Sequence, residues 1–216
     1  MRVLAIDTTS SGCHAALLVD GVVAALRQET MLRGQDARLL PLVQEVLQEA
    51  ALDFAALDRV AVLRGPGSFT GLRIGLAAAR GLGLARGRPV LGIDRLALHH
   101  AALAAAAAPR SLLVTLDSRR IEPFVQYFPS HSAAEPAAMR LPTELAAYDR
   151  ADVAVCGDGL AAHPWRHASL LALPEPEVVL AARLAAAAVA ADQPPVPLYL
   201  RAPDVSCGPQ PVVEEA

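Results

Sequence analysis

Short apolar runs separated by turn-forming residues open the chain. The runs at 2–6, 13–19 and 22–28 predict three β-strands. Asp20-Gly21, between the second and third runs, is typical of a two-residue hairpin turn. The three strands are therefore expected to pair as an antiparallel unit.

Helical periodicity and apolar runs then alternate. Apolar residues recur at helical spacing over 35–51, and Asp36 is placed to cap that helix. The next predicted elements are a strand at 60–63, a glycine-rich turn at 65–71, a helix at 72–86 and a strand at 90–93. This order indicates an α/β domain built on a mixed sheet.

The second half repeats the pattern less clearly. Its predicted elements are a helix at 95–108, strands at 111–116 and 123–128, a helix near 143–148, a strand at 153–156 and a helix at 178–191. We predict two domains, residues 1–96 and 97–204, followed by a loose tail at 205–216.

Composition excludes several classes of protein. All 19 basic residues are arginine, and the lack of lysine excludes a Walker A loop and lysine Schiff-base chemistry. Cys13, Cys156 and Cys207 are too far apart in sequence to suggest a disulfide framework. No apolar run is long enough to span a membrane, so we expect a soluble cytoplasmic protein.

The glycine-rich turn allows two interpretations. Backbone N–H groups at a helix N-terminus can hold an anion, and Gly65, Gly67, Ser68 and Thr70 would form such a phosphate cradle. The turn does not match G-x-G-x-x-G, and without lysine it is not a P-loop. A tight packing turn is the alternative.

Small residues recur every four positions along the following helix. They are Gly71, Gly75, Ala79 and Gly83. An interior glycine costs about 1 kcal/mol relative to alanine, so another backbone is expected to approach this stripe closely. That backbone belongs either to the chain's own sheet or to the helix of a partner.

Residues 65–75, Gly-Pro-Gly-Ser-Phe-Thr-Gly-Leu-Arg-Ile-Gly, resemble the hallmark of the TsaB (YeaZ) family. Members of that family are the small subunit that bacteria use to make threonylcarbamoyladenosine beside the tRNA anticodon. Residues similar in type and order lie at 4–9, 38–42, 117–119 and 197–201. Gln35-Asp36-Ala37 departs from the family, whose members more often begin this helix with a His-Ser-Glu type sequence.

The resemblance implies a fold and a set of partners. The fold is that of actin-like and sugar-kinase-like ATPases, with two related ribonuclease-H-like domains. The implied role is non-catalytic: the protein pairs with the homologous catalytic subunit TsaD, TsaE joins the complex, and a homodimer is possible without TsaD. ATP and metal are used by those partners, this chain requires no cofactor, and tRNA is contacted only through the complex.

The two N-terminal helices are the expected docking surface for TsaD. The predicted interface residues are Leu39, Leu40, Val43, Leu47, Gly71, Leu72, Gly75, Ala79 and Gly83. Together they would form a compact helical bundle with the partner's equivalent helices.

Active relatives hold nucleotide phosphates between two turns that each carry an acidic residue. Here Asp7-Thr8-Thr9 and Asp117-Ser118-Arg119 would be those turns. The alternative function is therefore a stand-alone ATP-dependent phosphotransferase that uses Asp7, Asp117 and a divalent metal. Arg119 stands where D-x-G would leave room, and Asp158 separates two glycines, so both residues argue against ATP turnover. Asp7 can equally cap its own hairpin turn.

No catalytic triad or metal site is expected. Only His163 and His167 have i,i+4 spacing, and Pro164 disfavours a helix between them. A third possibility is direct tRNA binding through arginines that include Arg80, Arg86 and Arg88. The formal net charge of −3 disfavours it for the isolated chain.

Overall fold

The computed structural model describes residues 1–189 and 194–201 and contains two five-stranded sheets. The strands of the first sheet are β1 (Arg2–Asp7), β2 (Gly12–Val19), β3 (Val22–Thr30), β4 (Arg59–Leu63) and β5 (Val90–Ile93). Those of the second are β6 (Ser111–Leu116), β7 (Phe124–Phe128), β8 (Ala138–Met139), β9 (Val153–Cys156) and β10 (Ser169–Leu171).

Five α-helices flank the sheets. They are α1 (Gln35–Glu49), α2 (Phe69–Arg86), α3 (Arg95–Ala107), α4 (Pro142–Leu145) and α5 (Glu177–Ala187). Single 3₁₀ turns lie at Phe54–Ala56, Ala146–Tyr148 and Leu160–Ala162. The helix predicted near 143–148 is thus a short α-helix that continues as a 3₁₀ turn.

The two sheets have the same topology. The first has the order β3-β2-β1-β4-β5, and the second, from its other edge, has the order β8-β7-β6-β9-β10. In each sheet the first three strands are antiparallel and the last two run parallel to the central strand. The predicted architecture, two mixed sheets with flanking helices, is confirmed.

Local chemistry explains where the elements begin. Asp20 and Gly21 both have positive φ, at 47° and 82°, as the predicted two-residue hairpin turn requires. Helix α2 begins three residues before its predicted start, because the Ser68 hydroxyl accepts a hydrogen bond from the Gly71 amide at 3.2 Å. The capping role predicted for Asp36 is wrong: α1 follows Gly34 without a side-chain cap, and Asp36 lies in its first turn.

The first sheet is covered on both faces. Leu4 and Ile6 of β1 pack in one core with residues of α1 and α2. Val3 and Ala5 point to the opposite face and pack in a second core with α5. Residues 3–6 of β1 and 60–63 of β4 are therefore apolar without alternation, as in strands buried on both faces.

Helices α3 and α5 lie between the two sheets and contact each other. Helix α3 follows the last strand of the first sheet but packs on β6, β7 and β9 of the second. Helix α5 follows the last strand of the second sheet but packs on β1, β2, β4 and β5 of the first. The sheets divide between residues 93 and 111, yet 177–187, assigned from the sequence to the second domain, complete the core of the first sheet.

The ends of the chain bear on two other expectations. Among the residues described, no helix is both long enough and apolar enough to cross a bilayer. Residues 190–193 and the predicted loose tail at 205–216 lie outside the described residues. Residues 194–201 run along the first sheet, where the amide of Leu198 donates to the carbonyl of Arg64 at 2.8 Å.

Candidate functional site

The turn after β1 uses its acidic residue internally. Asp7 is 2% exposed, and its Oδ1 accepts hydrogen bonds from the amide and the hydroxyl of Thr9, both at 2.6 Å. Its Oδ2 accepts one from the Ser10 hydroxyl at 2.8 Å. The carboxylate therefore closes its own turn, as the capping interpretation predicts.

The glycine-rich turn packs directly on that first turn. The Ser68 amide donates to the carbonyl of Thr9 at 2.8 Å, and the Thr8 hydroxyl donates to the carbonyl of Gly71 at 2.6 Å. A Cβ on Gly67 would lie 2.4 Å from the Thr9 carbonyl oxygen, and one on Gly71 would lie 1.8 Å from that of Thr8. Glycine is thus required for backbone contact within the chain.

This contact bears on the predicted phosphate site. The amides of Ser68 and Gly71 already have acceptors inside the chain. A Cβ on Gly65 would lie 3.0 Å from the carbonyl oxygen of Leu198. Thr70 is exposed at the start of α2. One donor of the proposed cradle, the Ser68 amide, and the neighbouring Gly71 amide are thereby satisfied without an anion. The geometry favours the packing-turn interpretation, and phosphate binding stays a prediction.

The turn after β6 is held by charged side chains. The amide of Asp117 donates to Asp158 Oδ1 at 2.8 Å, and Asp117 Oδ1 accepts from the amide of Arg119 at 2.7 Å. Arg119 has a φ of 59°. Its guanidinium donates to the carbonyl of Ser10 at 2.8 Å and so crosses from the second turn to the first.

A buried arginine links the same two regions. Arg95 is 1% exposed and forms two hydrogen bonds to Glu177, at 2.6 and 2.7 Å. It also donates to Asp158 Oδ2 at 3.0 Å and to the carbonyl of Pro66 at 3.2 Å. Arg95 therefore joins α3 to α5, to the glycine-rich turn and to the turn after β9.

His99 and Cys156 extend this cluster. His99 Nε2 lies 3.0 Å from Glu177 Oε1, and its Nδ1 lies 3.7 Å from Cys156 Sγ. Burial by itself would raise the pKa of Glu177, but the guanidinium of Arg95 and the hydrogen bond with His99 hold that pKa well below its ordinary value. Burial raises the pKa of the Cys156 thiol to about 12. That thiol is therefore not an activated nucleophile, although its order with His99 and Glu177 is that of a catalytic triad.

Sequence reasoning missed Arg95, His99 and Glu177. The partners of Arg95 are 63 and 82 positions away, so no local spacing signals the cluster. The one available signal is an arginine and a histidine four residues apart, Arg95 and His99, on a helix whose other residues, apart from His100, are apolar.

His163 and His167, which the sequence predicts not to bind a metal, contact other residues of the chain. His163 Nε2 lies 3.7 Å from Asp149 Oδ2, and its ring meets that of Trp165 edge-on. The backbone amide of His167 donates to Asp149 Oδ1 at 2.8 Å. Within residues 1–189 and 194–201, no group of three His, Cys, Asp or Glu side chains is placed to hold a metal ion.

The predicted interface residues mostly face inward, which corrects their assignment. Eight of the nine are buried, and only Leu40 is exposed. The buried ones are Leu39, Val43, Leu47, Gly71, Leu72, Gly75, Ala79 and Gly83. The glycine stripe meets the chain's own sheet, because a Cβ on Gly83 would lie 2.2 Å from Val90 Cγ2. These eight residues cannot form an exposed docking surface without disrupting the core.

Known proteins share the sequence and the fold. Residues 29–127 match the family model described as TsaD, tRNA N6-adenosine threonylcarbamoyltransferase. TsaB of Escherichia coli, described as a tRNA threonylcarbamoyladenosine biosynthesis protein, is 43% identical over 96 residues. That match covers 44% of this chain and 41% of the E. coli protein, less than half of either.

Other matches cover nearly the whole chain. An uncharacterized protein of Mycobacterium tuberculosis is 40% identical over 210 residues, which are 94% of this chain and 92% of that protein. The structure of YeaZ from Pseudomonas aeruginosa is 30% identical and superimposes with a TM-score of 0.68, covering 92% of this chain and 99% of that one. The chain therefore belongs to the TsaB (YeaZ) family.

Proposed function

We propose that this chain is a non-catalytic subunit that pairs with TsaD during synthesis of threonylcarbamoyladenosine beside the tRNA anticodon. TsaE joins the larger complex, ATP and metal are used by the partner subunits, and this chain requires no cofactor. The family relationship supplies the process. The non-catalytic role is supported above all by one observation: Arg119 of the second acidic turn donates to the carbonyl of Ser10 in the first and so bridges the two turns.

Two arginines connect the surroundings of these turns. The guanidinium of Arg119 reaches the Ser10 carbonyl, and Arg95 contacts both the glycine-rich turn and Asp158. A nucleotide phosphate bound between the turns would have to displace these contacts. The arrangement therefore argues against the alternative, a stand-alone phosphotransferase that uses Asp7 and Asp117.

The likeness of residues 29–127 to TsaD supports pairing between the two proteins. Homologous subunits can present the same surface to each other, as in an isologous dimer, and the same surface would permit a homodimer when TsaD is absent. We place the docking surface on the outward faces of α1 and of the C-terminal half of α2, helices that pack side by side. Leu40 on α1 is 49% exposed and Leu84 on α2 is 87% exposed.

The test is light scattering on a sizing column, with this chain alone and then mixed with TsaD from the same cell. We expect a stable heterodimer that Leu40→Asp and Leu84→Asp abolish, because each places a charge in an apolar contact. Leu170→Asp is the matched control, since Leu170 is 54% exposed on the second sheet. Formation of threonylcarbamoyladenosine by the mixture, with TsaE and threonylcarbamoyl-adenylate supplied, is then measured on unmodified tRNA.

Two results would contradict the proposal. One is no association between this chain and TsaD, with or without nucleotide. The other is steady ATP hydrolysis by the purified chain that Asp7→Ala abolishes, which would support the phosphotransferase instead.

A further inference from the structure

Two segments singled out in the sequence meet at the start of α2 through their aromatic rings. Phe69 is the first residue of α2, and Tyr199 belongs to the segment 194–201. Their ring centroids are 5.1 Å apart with an angle of 38° between the planes. One helical turn further, the guanidinium carbon of Arg73 lies 3.9 Å from the centroid of the Phe69 ring. The result is an ordered stack of arginine, phenylalanine and tyrosine.

This stack lies at the surface. Tyr199 is 42% exposed, and Arg73 is exposed as well. The cavity beneath the rings has a volume of only about 20 Å³, with Leu72, Phe124 and Arg201 among its lining residues. That volume holds at most a single water molecule, so a ligand would meet the stack from outside.

The segment of sequence that contains α2 is basic. Residues 59–93 include six arginines and no aspartate or glutamate, whereas residues 20–58 include seven acidic residues. Arg80 and Arg88, two arginines that the sequence suggested for RNA binding, donate to the carbonyls of Pro195 and Ala55. Arg73 instead lies over an aromatic ring, where its charge faces outward beside an exposed tyrosine.

We propose that Arg73, Phe69 and Tyr199 form a contact surface for an unpaired base of RNA and its phosphate. Exposed aromatic rings stack on bases of any identity, and a neighbouring arginine adds attraction to the backbone. The inference rests on the proposed function, which brings an anticodon loop with unpaired bases to the complex. A protein occupant is the other outcome of the test, and loss of TsaD binding with RNA affinity intact would reveal it.

The experiment measures binding of an unmodified tRNA transcript, with adenosine next to its anticodon, to the mixture of this chain and TsaD. We expect Tyr199→Ala and Arg73→Ala each to raise the Kd by about fivefold to 100-fold, whereas Tyr199→Phe retains binding. Arg166→Ala is the matched control, because Arg166 is an exposed arginine in the loop before β10, away from α1 and α2 in the sequence. Assembly with TsaD is checked for each variant on a sizing column.

Three results would overturn this inference: no tRNA binding by the wild-type mixture, an unchanged Kd in both alanine variants, or loss of TsaD binding with RNA affinity intact. Binding is measured without turnover, so it separates the two proposals. Normal modification with an unchanged Kd removes only the RNA contact. Tyr199-dependent binding without any modification removes only the proposed function.

Discussion

The turns at residues 7–10 and 117–119 occupy equivalent places, each after the central strand of its sheet, but they are held in different ways. The first is buried, and the hydroxyl groups and backbone of neighbouring residues surround its carboxylate. The second is exposed, and two carboxylates, those of Asp158 and of its own Asp117, accept hydrogen bonds from its backbone amides.

The difference shows how little an acidic residue at a strand end says about phosphate chemistry. In both turns the carboxylate accepts a hydrogen bond from the amide two residues later, which is the ordinary Asx-turn role. What separates the turns is the surrounding packing. The first is fixed by glycines of a neighbouring turn, whereas the second depends on side chains that reach across to other elements.

The largest expected effect comes from removing Arg95, which links the surroundings of both turns. Arg95→Met leaves Glu177 buried beside an apolar side chain, and we expect a loss of about 3–5 kcal/mol in the free energy of unfolding. Urea unfolding measures this. The control is Arg183→Met, which removes a partly exposed pair with Glu175 and should cost much less, because solvent screens that pair. Equal losses of unfolding free energy in the two variants would contradict a larger stabilising role for the buried Arg95–Glu177 pair.

The next effect compares the two aspartates directly. Asp7→Ala removes the acceptor of three hydrogen bonds in a buried turn and should cost about 1.5–3 kcal/mol. Asp117→Ala, at an exposed position, should change stability by no more than about 0.5 kcal/mol. Thermal unfolding of the two variants measures this difference in stability. Similar melting temperatures would contradict the conclusion that the two carboxylates stabilise their turns to different extents.

Glycine substitutions probe the packing of each turn. Gly71→Ala forces a Cβ against the carbonyl of Thr8, and Gly157→Ala forces one to 1.9 Å from that of Thr115 at a φ of 114°. We expect each substitution to lower the free energy of unfolding, measured in urea, by about 1–3 kcal/mol. Gly81→Ala, also in α2, meets no atom within 4 Å and should gain up to about 1 kcal/mol. A loss there would mean that helix propensity does not govern the comparison.

The smallest expected effect concerns Arg119. Arg119→Gly restores the glycine of a D-x-G turn at a positive φ that glycine adopts freely, so stability should change by no more than about 0.5 kcal/mol. We expect no ATP hydrolysis in a phosphate-release assay, because the amides of Ser68 and Gly71 remain bonded within the chain. Hydrolysis by this variant that disappears on adding Asp7→Ala would show instead that Arg119 alone blocks a competent site.

Local signals were sufficient for much of the fold. The strands at 90–93, 111–116 and 153–156 were predicted with the bounds that the structure shows, because each is an apolar run between turn formers. β8 and β10 were missed, since strands of two and three residues leave no period to detect. Sequence reasoning does not find the extra turn at the start of α2, because its capping residue, Ser68, lies inside the predicted glycine-rich turn.

Contacts between distant segments were beyond such signals. The periodicity of α1 and α2 identified their apolar positions but did not show whether Leu39 or Gly75 faces a partner or the chain's own sheet. The placement of α3 and α5 on each other's sheets was equally hidden, because an amphipathic pattern does not specify its target. Arg95 and Glu177 meet only because α3 and α5 pack against each other. The pair therefore could not be predicted without knowing where these helices pack.

The exchange of α3 and α5 also sets an order of events during synthesis. When residues 1–93 have left the ribosome, the first sheet has α1 and α2 on one face, but Val3 and Ala5 still face solvent on the other. Their cover, residues 177–187, emerges only after the whole second sheet has been made. The first half therefore cannot complete its core alone, and we expect the nascent chain to expose an apolar sheet face until residues 177–187 emerge.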